Sequence, residues 1–207
     1  MPGPYIASKS KQRGSPMRTI TALFVGLGSI GTRHLKNLTN LCADRGWTLQ
    51  ADALRSDLSR PLRDGVAALL HAQYTDLADA PAHYDMVFIT NPTSLHADAL
   101  TRVRGRGGAL FIEKPIFSAE QTGLDLADCL PAGQKAYVAA PMRWCGVMLA
   151  LKDRLPGLHP YCARVICSSY LPDWRPGVDY RTGYSAPKAM GGGGSHQSSG
   201  DGRRRDD

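Results

Sequence analysis

Long apolar segments are missing from this 207-residue chain. No apolar run approaches the roughly 20 residues that a membrane-spanning helix needs. The first 16 residues, MPGPYIASKSKQRGSP, are basic but contain no apolar core, which argues against a secretory signal. We therefore predict a cytoplasmic protein with no membrane partner.

A regular cysteine framework is missing as well. The five cysteines show no Cys-x-x-Cys spacing: Cys42, Cys129, Cys145, Cys162 and Cys167. An odd number of cysteines without a secretory context indicates reduced thiols, which agrees with a cytoplasmic location.

A strong basic surface is missing from most of the chain, although the formal net charge is +7. Residues 1–18 hold four basic residues and no acid, whereas residues 191–207 balance three Arg against three Asp. Residues 19–190 therefore carry an excess of only three positive charges. An excess of that size is ordinary for a protein surface, so we predict no nucleic-acid partner.

Apolar residues are absent after Met190, so the last 17 residues cannot bury anything. We predict a disordered leader over residues 1–17 and a disordered tail over residues 191–207. Between them the composition supports a core, since 43% of the whole chain is hydrophobic. We assign residues 18–140 to a first domain and residues 141–190, where the texture of the sequence changes, to a second.

Residues 23–34, LFVGLGSIGTRH, combine a buried strand, a glycine turn and a helix start. The glycines follow Gly-x-Gly-x-x-Gly spacing: Gly26, Gly28 and Gly31. The first permits a tight turn, the second leaves room for a pyrophosphate, and the third lets the helix pack on the strand. Backbone N–H groups at Ser29 and Ile30 then face the phosphates. The alternative is a glycine-rich turn without a ligand.

Strand-like and helix-like segments alternate over the rest of the first domain. The predicted strands after the first are residues 48–54, 72–75, 86–90, 109–112 and 136–140. The predicted helices start at Ser29, run from Ser59 through Leu70, and cover 94–104 and 118–130. This alternation predicts an α/β fold with a Rossmann-type, doubly wound parallel sheet. A further segment follows, with a helix at 147–155 and a strand at 161–171.

Two polar motifs directly follow predicted buried strands, TNPTSLH at residues 90–96 and EKP at residues 113–115. Pro92 biases Asn91 toward an extended backbone. Adjacent charges at Glu113 and Lys114 are unfavourable at the end of a buried strand unless they are used or paired. Ligands of parallel sheets bind at the carboxyl ends of the strands, where these motifs are expected. His96 has an alternative as a capping or packing residue, and Glu113 and Lys114 as residues partnered elsewhere.

The glycine turn, NPTSLH and EKP, in this order, resemble the Gfo/Idh/MocA family of oxidoreductases. Arg143-Trp144 is similar to the family's Arg-Phe pair, with a surface arginine as the alternative reading. WRPGVDYR and YSAPKAMGGG are similar to a segment of members tied to sugar metabolism. The resemblance covers residues 19–193. It implies an NAD(P)-dependent oxidoreductase that acts on a sugar, sugar-nucleotide or cyclitol hydroxyl and needs no metal.

The resemblance also implies roles for individual residues. Lys114 would lie between cofactor and substrate as the catalytic residue. The cofactor-binding residues would be Gly26, Gly28, Ser29, Ile30, Gly31, Arg55, Ser56, Thr90, Asn91, Pro92, His96, Glu113, Lys114 and Arg143.

The end of the second strand bears on the choice of dinucleotide. An acid at this strand end binds the ribose 2′-OH of NAD, whereas an arginine nearby accommodates a 2′-phosphate. Asp52 lies at the usual distance from Gly31, but the alternation of the strand places it inside rather than at the end. The end reads Arg55-Ser56, which suits a phosphate. We therefore favour NADP over NAD.

The chain departs from the family pattern after residue 193. Family members continue into a helix that carries an Asp and then a His, but His196 has no such context, so we assign it no role. Set against the family pattern, the departure implies that residues 141–190 are the truncated start of an incomplete α/β substrate domain. The sheet of that domain could pair with a second copy in a homo-oligomer. Two alternatives to an active enzyme stay open: a non-catalytic dinucleotide-binding protein and an inactive truncated fragment.

Overall fold

The computed structural model describes residues 18–63, 65–121 and 123–159, and beyond them only residues 161, 162, 164, 166, 170, 173, 179 and 181. The predicted leader, tail and His196 lie outside the described residues. The strand predicted at 161–171 and the segments WRPGVDYR and YSAPKAMGGG lie largely outside them. The domain boundaries therefore stay a prediction.

Six parallel strands form one sheet in the order β3-β2-β1-β4-β5-β6. They are β1 Thr19–Val25, β2 Thr48–Leu54, β3 Ala72–Tyr74, β4 Tyr84–Ile89, β5 Gly107–Ile112 and β6 Lys135–Val138. This is the strand order of a doubly wound dinucleotide-binding fold, whose direction reverses beside β1. The predicted Rossmann-type sheet is confirmed, with strand bounds that differ from the expected ones by two residues or fewer.

Helices connect the strands and cover the sheet. They are α1 Ser29–Asp44, α2 His96–Arg102, α3 Leu126–Cys129 and α4 Gly146–Arg154. Short 3-10 helices precede α2 at Thr93–Leu95 and α4 at Pro141–Trp144, and a third lies at Ala67–Leu69. Among the described residues, no helix is long and apolar enough to cross a membrane.

Each face of the sheet has its own hydrophobic cluster, because successive strand residues point to opposite faces. Leu23 and Val25 pack with Val87, Leu100 and neighbours on one face. The intervening β1 residues, Ala22 and Phe24, pack on the other face with Leu35 of α1, Ala51, Val66 and Phe88. A strand that is buried on both faces has a continuous apolar run, as β1 does.

Two predicted helices are wrong. Ser59 does not begin a helix, because its N–H and hydroxyl both donate to Asp57 Oδ1 in a local turn. Gly65 then adopts φ +74°, a left-handed conformation that ends regular helix.

Of the helix predicted over residues 118–130, only Leu126–Cys129 is helical, and Asp125 caps it instead of Ser118. The hydroxyl of Ser118 donates to Gln121, and Gly123 has φ +90°.

The ends of the four central strands lie in register. Val25 is paired with both Leu54 and Ile89, and Ile89 is paired with Ile112. The next residue of each strand therefore lies in one row along the carboxyl edge of the sheet. That row is Arg55, Gly26, Thr90 and Glu113, in spatial order.

Candidate functional site

The turn after β1 depends on Gly26. Its φ is +86°, which L side chains rarely adopt, and a Cβ there would lie 2.8 Å from Asn91 Cα. Its N–H donates to Leu54 O at 3.0 Å, so the turn is fixed against the end of β2. The tight turn that the sequence predicts at Gly26 has this geometry.

Gly31 and Gly28 are glycines for different reasons. A Cβ on Gly31 would lie 2.5 Å from Gly26 O and 2.8 Å from Thr90 Oγ1, so helix α1 touches the turn and the residue that follows β4. A Cβ on Gly28 would meet nothing within 4 Å. Two glycines of the motif are thus required by the fold, whereas Gly28 faces open space.

The start of α1 presents unused backbone donors to that space. Gly28 is the N-cap residue and provides no side-chain hydrogen bond, and the first turn contains no acid. Ser29 is exposed and Ile30 half-buried in this turn. The first N–H groups of a helix lack intrahelical partners and carry a positive partial charge, so this end favours an anion such as a phosphate.

Thr90 and Asn91 lie beside the glycine turn. The buried Thr90 hydroxyl donates to Gly26 O at 2.6 Å, which makes Thr90 a brace of the turn. Asn91 Nδ2 donates to Leu95 O at 3.2 Å, while its Oδ1 is buried and has no hydrogen-bond partner among the described residues. Pro92 follows with an extended ψ of 142° and leads into the 3-10 helix before α2. A free buried acceptor beside the turn suits a ligand hydroxyl.

His96 is 1% exposed at the first position of α2. Its Nε2 lies 3.0 Å from Asn91 O, and its Nδ1 lies 3.0 Å from Ile116 O. Burial lowers the pKa of His96, against the opposing effect of these carbonyl oxygens and of the Glu113 charge. His96 therefore connects the loop after β4 to the loop after β5, in the packing role that the sequence left open for it.

Glu113 and Lys114 differ sharply in environment. Glu113 is buried, and its Oε1 accepts from His34 Nε2 of α1 at 2.6 Å. Its Oε2 accepts from the backbone N–H of Lys114 at 3.1 Å. Lys114 is exposed, and its ammonium makes no hydrogen bond or ion pair to the part of the chain that the structure describes. The Lys114–Pro115 peptide bond is cis.

The end of β2 has the arrangement that the alternation predicts. Asp52 is 3% exposed and lies inside the strand, where it accepts from Tyr84 Oη at 2.8 Å and contacts His71 Nδ1 at 3.1 Å. Arg55 follows the strand, with its guanidinium bonded to Gln73 Oε1 at 2.8 Å and to the Arg60 carbonyl. Ser56 beside it is exposed. The structure thus presents an arginine at this edge and keeps the acid inside.

Arg143 is exposed on the 3-10 helix after β6. Neighbouring Trp144 donates from Nε1 to Tyr137 Oη at 2.6 Å, which holds this helix on the last strand. No hydrogen bond or ion pair of the described residues joins Arg143 to the glycine turn, so its cofactor-binding role stays a prediction.

The residues at this edge fit a dinucleotide: space at Gly28, unused N–H groups of α1, and the unpaired Asn91 Oδ1. Among the described residues, no three His, Cys, Asp or Glu side chains come together as metal ligands.

Sequence reasoning missed His34, which partners Glu113 from α1. A signal was present, because residues 31, 35 and 42 form the buried face of this helix and His34 lies next to it. A histidine beside the core face of a helix indicates a polar partner on the element that it packs against. The partner is 79 residues away, so the sequence did not identify it.

Comparisons with known proteins agree with this geometry. The family model described as an oxidoreductase family with an NAD-binding Rossmann fold, GFO_IDH_MocA, matches residues 20–139. Over 93 residues the chain is 30% identical to the scyllo-inositol 2-dehydrogenase (NAD(+)) of Bacillus subtilis, covering 44% of this chain and 27% of that protein.

Solved structures show the same fold. A scyllo-inositol dehydrogenase from Lactobacillus casei with bound NAD(H) and scyllo-inositol is 25% identical, with a TM-score of 0.51 over 67% of this chain and 42% of that one. The WlbA dehydrogenase of Bordetella pertussis, in complex with NADH and UDP-GlcNAcA, is 20% identical, with a TM-score of 0.53 over 69% and 42%.

The chain spans less than half the length of these relatives. The family model nevertheless covers more than half of this chain, including the sheet from β1 to β6 and all three sequence motifs at its carboxyl edge. The chain therefore belongs to the Gfo/Idh/MocA family of oxidoreductases, which has an NAD-binding Rossmann fold.

Proposed function

We propose that this chain binds a nicotinamide dinucleotide at the carboxyl edge of its sheet. The observation that carries the proposal is the contrast within the glycine motif. Gly26 and Gly31 have no space for a Cβ, whereas Gly28 faces open space at the start of α1. A pyrophosphate needs such a gap, since it must approach the backbone closely enough to accept from the helix N–H groups.

Each residue of the edge has a proposed part in holding the cofactor. The N–H groups at Ser29 and Ile30 bind the phosphates, and Asn91 Oδ1 accepts from a ribose hydroxyl. Three further residues support this side of the site through contacts with the chain itself and do not touch the cofactor: Thr90, Pro92 and His96. Arg143 is proposed as a further contact, at the end of the sheet.

The proposed activity is hydride transfer to or from a hydroxyl-bearing carbon of a sugar, sugar nucleotide or cyclitol. The bound nicotinamide would supply the hydride acceptor or donor. Lys114, whose exposed ammonium has no described partner, would give a proton to the oxygen when a carbonyl is reduced, and its neutral amine would take the proton from the hydroxyl when an alcohol is oxidised. The relatives named above support this substrate class, because their names mention inositols or a UDP-sugar acid.

We further propose that NADP is bound in preference to NAD. Asp52 has both carboxylate oxygens in contact with Tyr84 and His71, which leaves it unavailable to a ribose 2′-OH. Arg55 and Ser56 instead stand at the strand end, where a 2′-phosphate would be placed. The named relatives are described with NAD, so the proposal of NADP rests on the strand end of this chain alone.

Substituting Gly28 tests the binding site directly. Titration with NADH and NADPH, followed by nicotinamide fluorescence, should show saturable binding to the wild type. Gly28→Ala should fold normally, because its Cβ meets no atom, yet bind at least about tenfold more weakly. Gly146→Ala is the matched control, since a Cβ there also meets open space. Absence of binding by folded wild type, or equal affinities for all three proteins, would refute the proposal.

Substituting Lys114 tests the activity. The wild type and Lys114→Ala are assayed on a panel of sugars, cyclitols and sugar nucleotides by NAD(P)H absorbance. Turnover that falls by about 10²–10⁴-fold in the variant would support the proposed role of the lysine. Nucleotide binding without any turnover would favour the second candidate, a non-catalytic dinucleotide-binding protein. Turnover that persists in the variant would show that Lys114 does not hold the proton.

A further inference from the structure

A hydrogen bond joins helix α1 to the end of β5. His34 Nε2 donates to Glu113 Oε1 at 2.6 Å, between side chains that are 18% and 12% exposed. His34 lies one turn beyond Gly31, on the same helix whose first residues form the proposed phosphate site. Its ring packs edge-on against Phe111 at 4.9 Å between centroids. The imidazole therefore has a fixed position on a rigid element.

Glu113 passes this constraint on to Lys114. Its second oxygen, Oε2, accepts from the Lys114 N–H at 3.1 Å. Its own N–H donates to Ile89 O at 3.0 Å, as a continuation of the pairing between β4 and β5. The side chain and the main chain of Glu113 are thus held separately, the side chain by α1 and the main chain by the sheet.

We propose that His34 is a positioning residue that fixes Lys114 relative to the nucleotide-binding helix by holding the Glu113 carboxylate. The value of that position rests on the proposed function, in which Lys114 meets the reacting hydroxyl. Without His34, a mostly buried carboxylate loses a charge-assisted donor and turns toward water. The Lys114 N–H then loses its acceptor, and the backbone of Lys114 is no longer held by α1.

The contact between His34 and Glu113 therefore has a role beyond stability. The first turn of α1 and His34 belong to one continuous helix, whose regular geometry sets the distance between them. A nucleotide that is held by the first turn and a lysine that is held through His34 therefore keep a constant separation. Hydride transfer needs such constancy, since small displacements of a catalytic group lower the rate strongly.

Two variants that differ by one methylene group test the proposal. The Gln amide nitrogen can reach the place of histidine Nε2, whereas the shorter Asn side chain cannot. We expect His34→Asn to accelerate amide hydrogen exchange at Lys114 by about tenfold, as measured by ¹⁵N NMR. His34→Gln should stay close to wild type. The Glu113 amide, which is bonded to Ile89 O, is the internal reference and should be unchanged in both variants.

A third variant guards against misfolding of His34→Asn. Glu113→Leu removes the acceptor of the Lys114 N–H without leaving an unpaired carboxylate, and it should accelerate Lys114 exchange to a similar extent. Unchanged Lys114 exchange in His34→Asn or Glu113→Leu would overturn the proposal. Equal acceleration at Glu113 and Lys114 would also overturn it, because that result indicates general loosening.

The readout is independent of the proposed function. Amide exchange is measured without nucleotide or substrate, so a failure to bind NADH or NADPH refutes the proposed function and leaves the His34 result standing. If turnover is found, His34→Asn should lower kcat more than it raises KM, and His34→Gln should restore kcat.

Discussion

Arg55 is the residue on which the choice of dinucleotide depends in our proposal. Its guanidinium is already oriented by Gln73 Oε1 and the Arg60 carbonyl, so little rotamer freedom is lost when it binds an anion. We expect Arg55→Ala to weaken NADPH by about ten- to a hundredfold, since a charge-assisted contact contributes about 1.5–3 kcal/mol. NADH should be nearly unaffected. Fluorescence titrations of both nucleotides measure the difference.

The control is Arg60→Ala, which removes the same charge nearby and keeps the backbone carbonyl that contacts Arg55. The Arg60 side chain is exposed and pairs with Asp57 at 3.4 Å. Similar losses for both arginines would point to general electrostatic attraction. Similar losses for both nucleotides would show that Arg55 does not recognise a 2′-phosphate.

His96 gives a prediction on pH. Burial lowers its pKa below the value of about 6.5 in an unfolded chain, so the folded protein binds this proton less readily. The free energy of unfolding that depends on neutral His96 is therefore fully present above about pH 6.5 and decreases below it, by up to about 1.4 kcal/mol per pH unit. Urea unfolding at several pH values between about 5 and 7.5 measures this loss.

His96→Gln should flatten the pH dependence of unfolding, whereas His83→Gln, at an exposed histidine, should leave it unchanged. The other acidic or basic groups near His96, which are Glu113 and His34, are unchanged in all three proteins. A slope in His96→Gln equal to that of the wild type would contradict the prediction.

At the scale of elements, a buried polar contact connects strands that are not neighbours. Tyr84 at the start of β4 donates to Asp52 inside β2, and β1 lies between the two strands. Burial, reinforced by this hydrogen bond, raises the pKa of Tyr84, so its hydroxyl remains a donor at any physiological pH. Both residues are almost inaccessible to water. The contact therefore fixes the spacing of three strands.

Removing the Tyr84 hydroxyl should destabilise the sheet. Tyr84→Phe leaves Asp52 Oδ2 buried without this donor, and we expect the free energy of unfolding to fall by about 1–3 kcal/mol. Urea denaturation followed by circular dichroism measures the loss. Tyr74→Phe is the matched control, since Tyr74 is only half-buried and its hydroxyl makes no hydrogen bond to the described residues. A loss below the error of the control would show that water or His71 replaces the donor.

Strands and helices were predictable where the local sequence pattern is compatible with only one secondary structure. The apolar run of β1 and the alternation of β2 specify strands, and the bounds of β2 are those predicted. The helices predicted from Ser59 and Ser118 do not form as predicted, because both serine hydroxyls donate to nearby side chains and do not cap a helix. A glycine at positive φ also follows each serine.

At the scale of the whole molecule, the register of the four central strands brings the residues of the site together. Arg55, Gly26, Thr90 and Glu113 stand in one row only because β2, β1, β4 and β5 end together. A ligand along this row contacts segments from most of the described sheet. Binding of such a ligand therefore raises the free energy of unfolding of the whole domain.

Nucleotide binding should accordingly raise the melting temperature. At a concentration a hundred times the Kd, the stabilisation is about 2.7 kcal/mol, which corresponds to about 5–10 °C for a chain of this size. Differential scanning fluorimetry with NADPH and NADH measures the shift. Gly28→Ala at the same nucleotide concentration should show about half that shift or less, because a tenfold higher Kd leaves about 1.4 kcal/mol of stabilisation. An equal shift in that variant would mean that the nucleotide binds elsewhere.

Other predictions about the whole molecule remain untested. These are the cytoplasmic location, the lack of a nucleic-acid partner and the homo-oligomer through the second-domain sheet.

Helix α4 lies where the sequence predicts it, within one residue, and its side chains are exposed in the described part of the chain.

The sequence by itself determined the parts whose physics is local. A glycine at φ +86°, a helix that begins at Ser29, and an aspartate that falls inside a strand all follow from the residues and their immediate neighbours. The three motifs also identified the family, because their order and spacing reflect that local chemistry.

Only the tertiary structure decided which distant groups are partners. His34 and Glu113 are 79 residues apart, and Tyr84 and Asp52 are 32 apart. Periodicity shows that each of these residues is buried or polar, but strand order and register determine what lies opposite it. The sequence therefore placed Glu113 and Lys114 together as site residues. The fold separated them into a carboxylate held by α1 and an ammonium left open to the edge of the sheet.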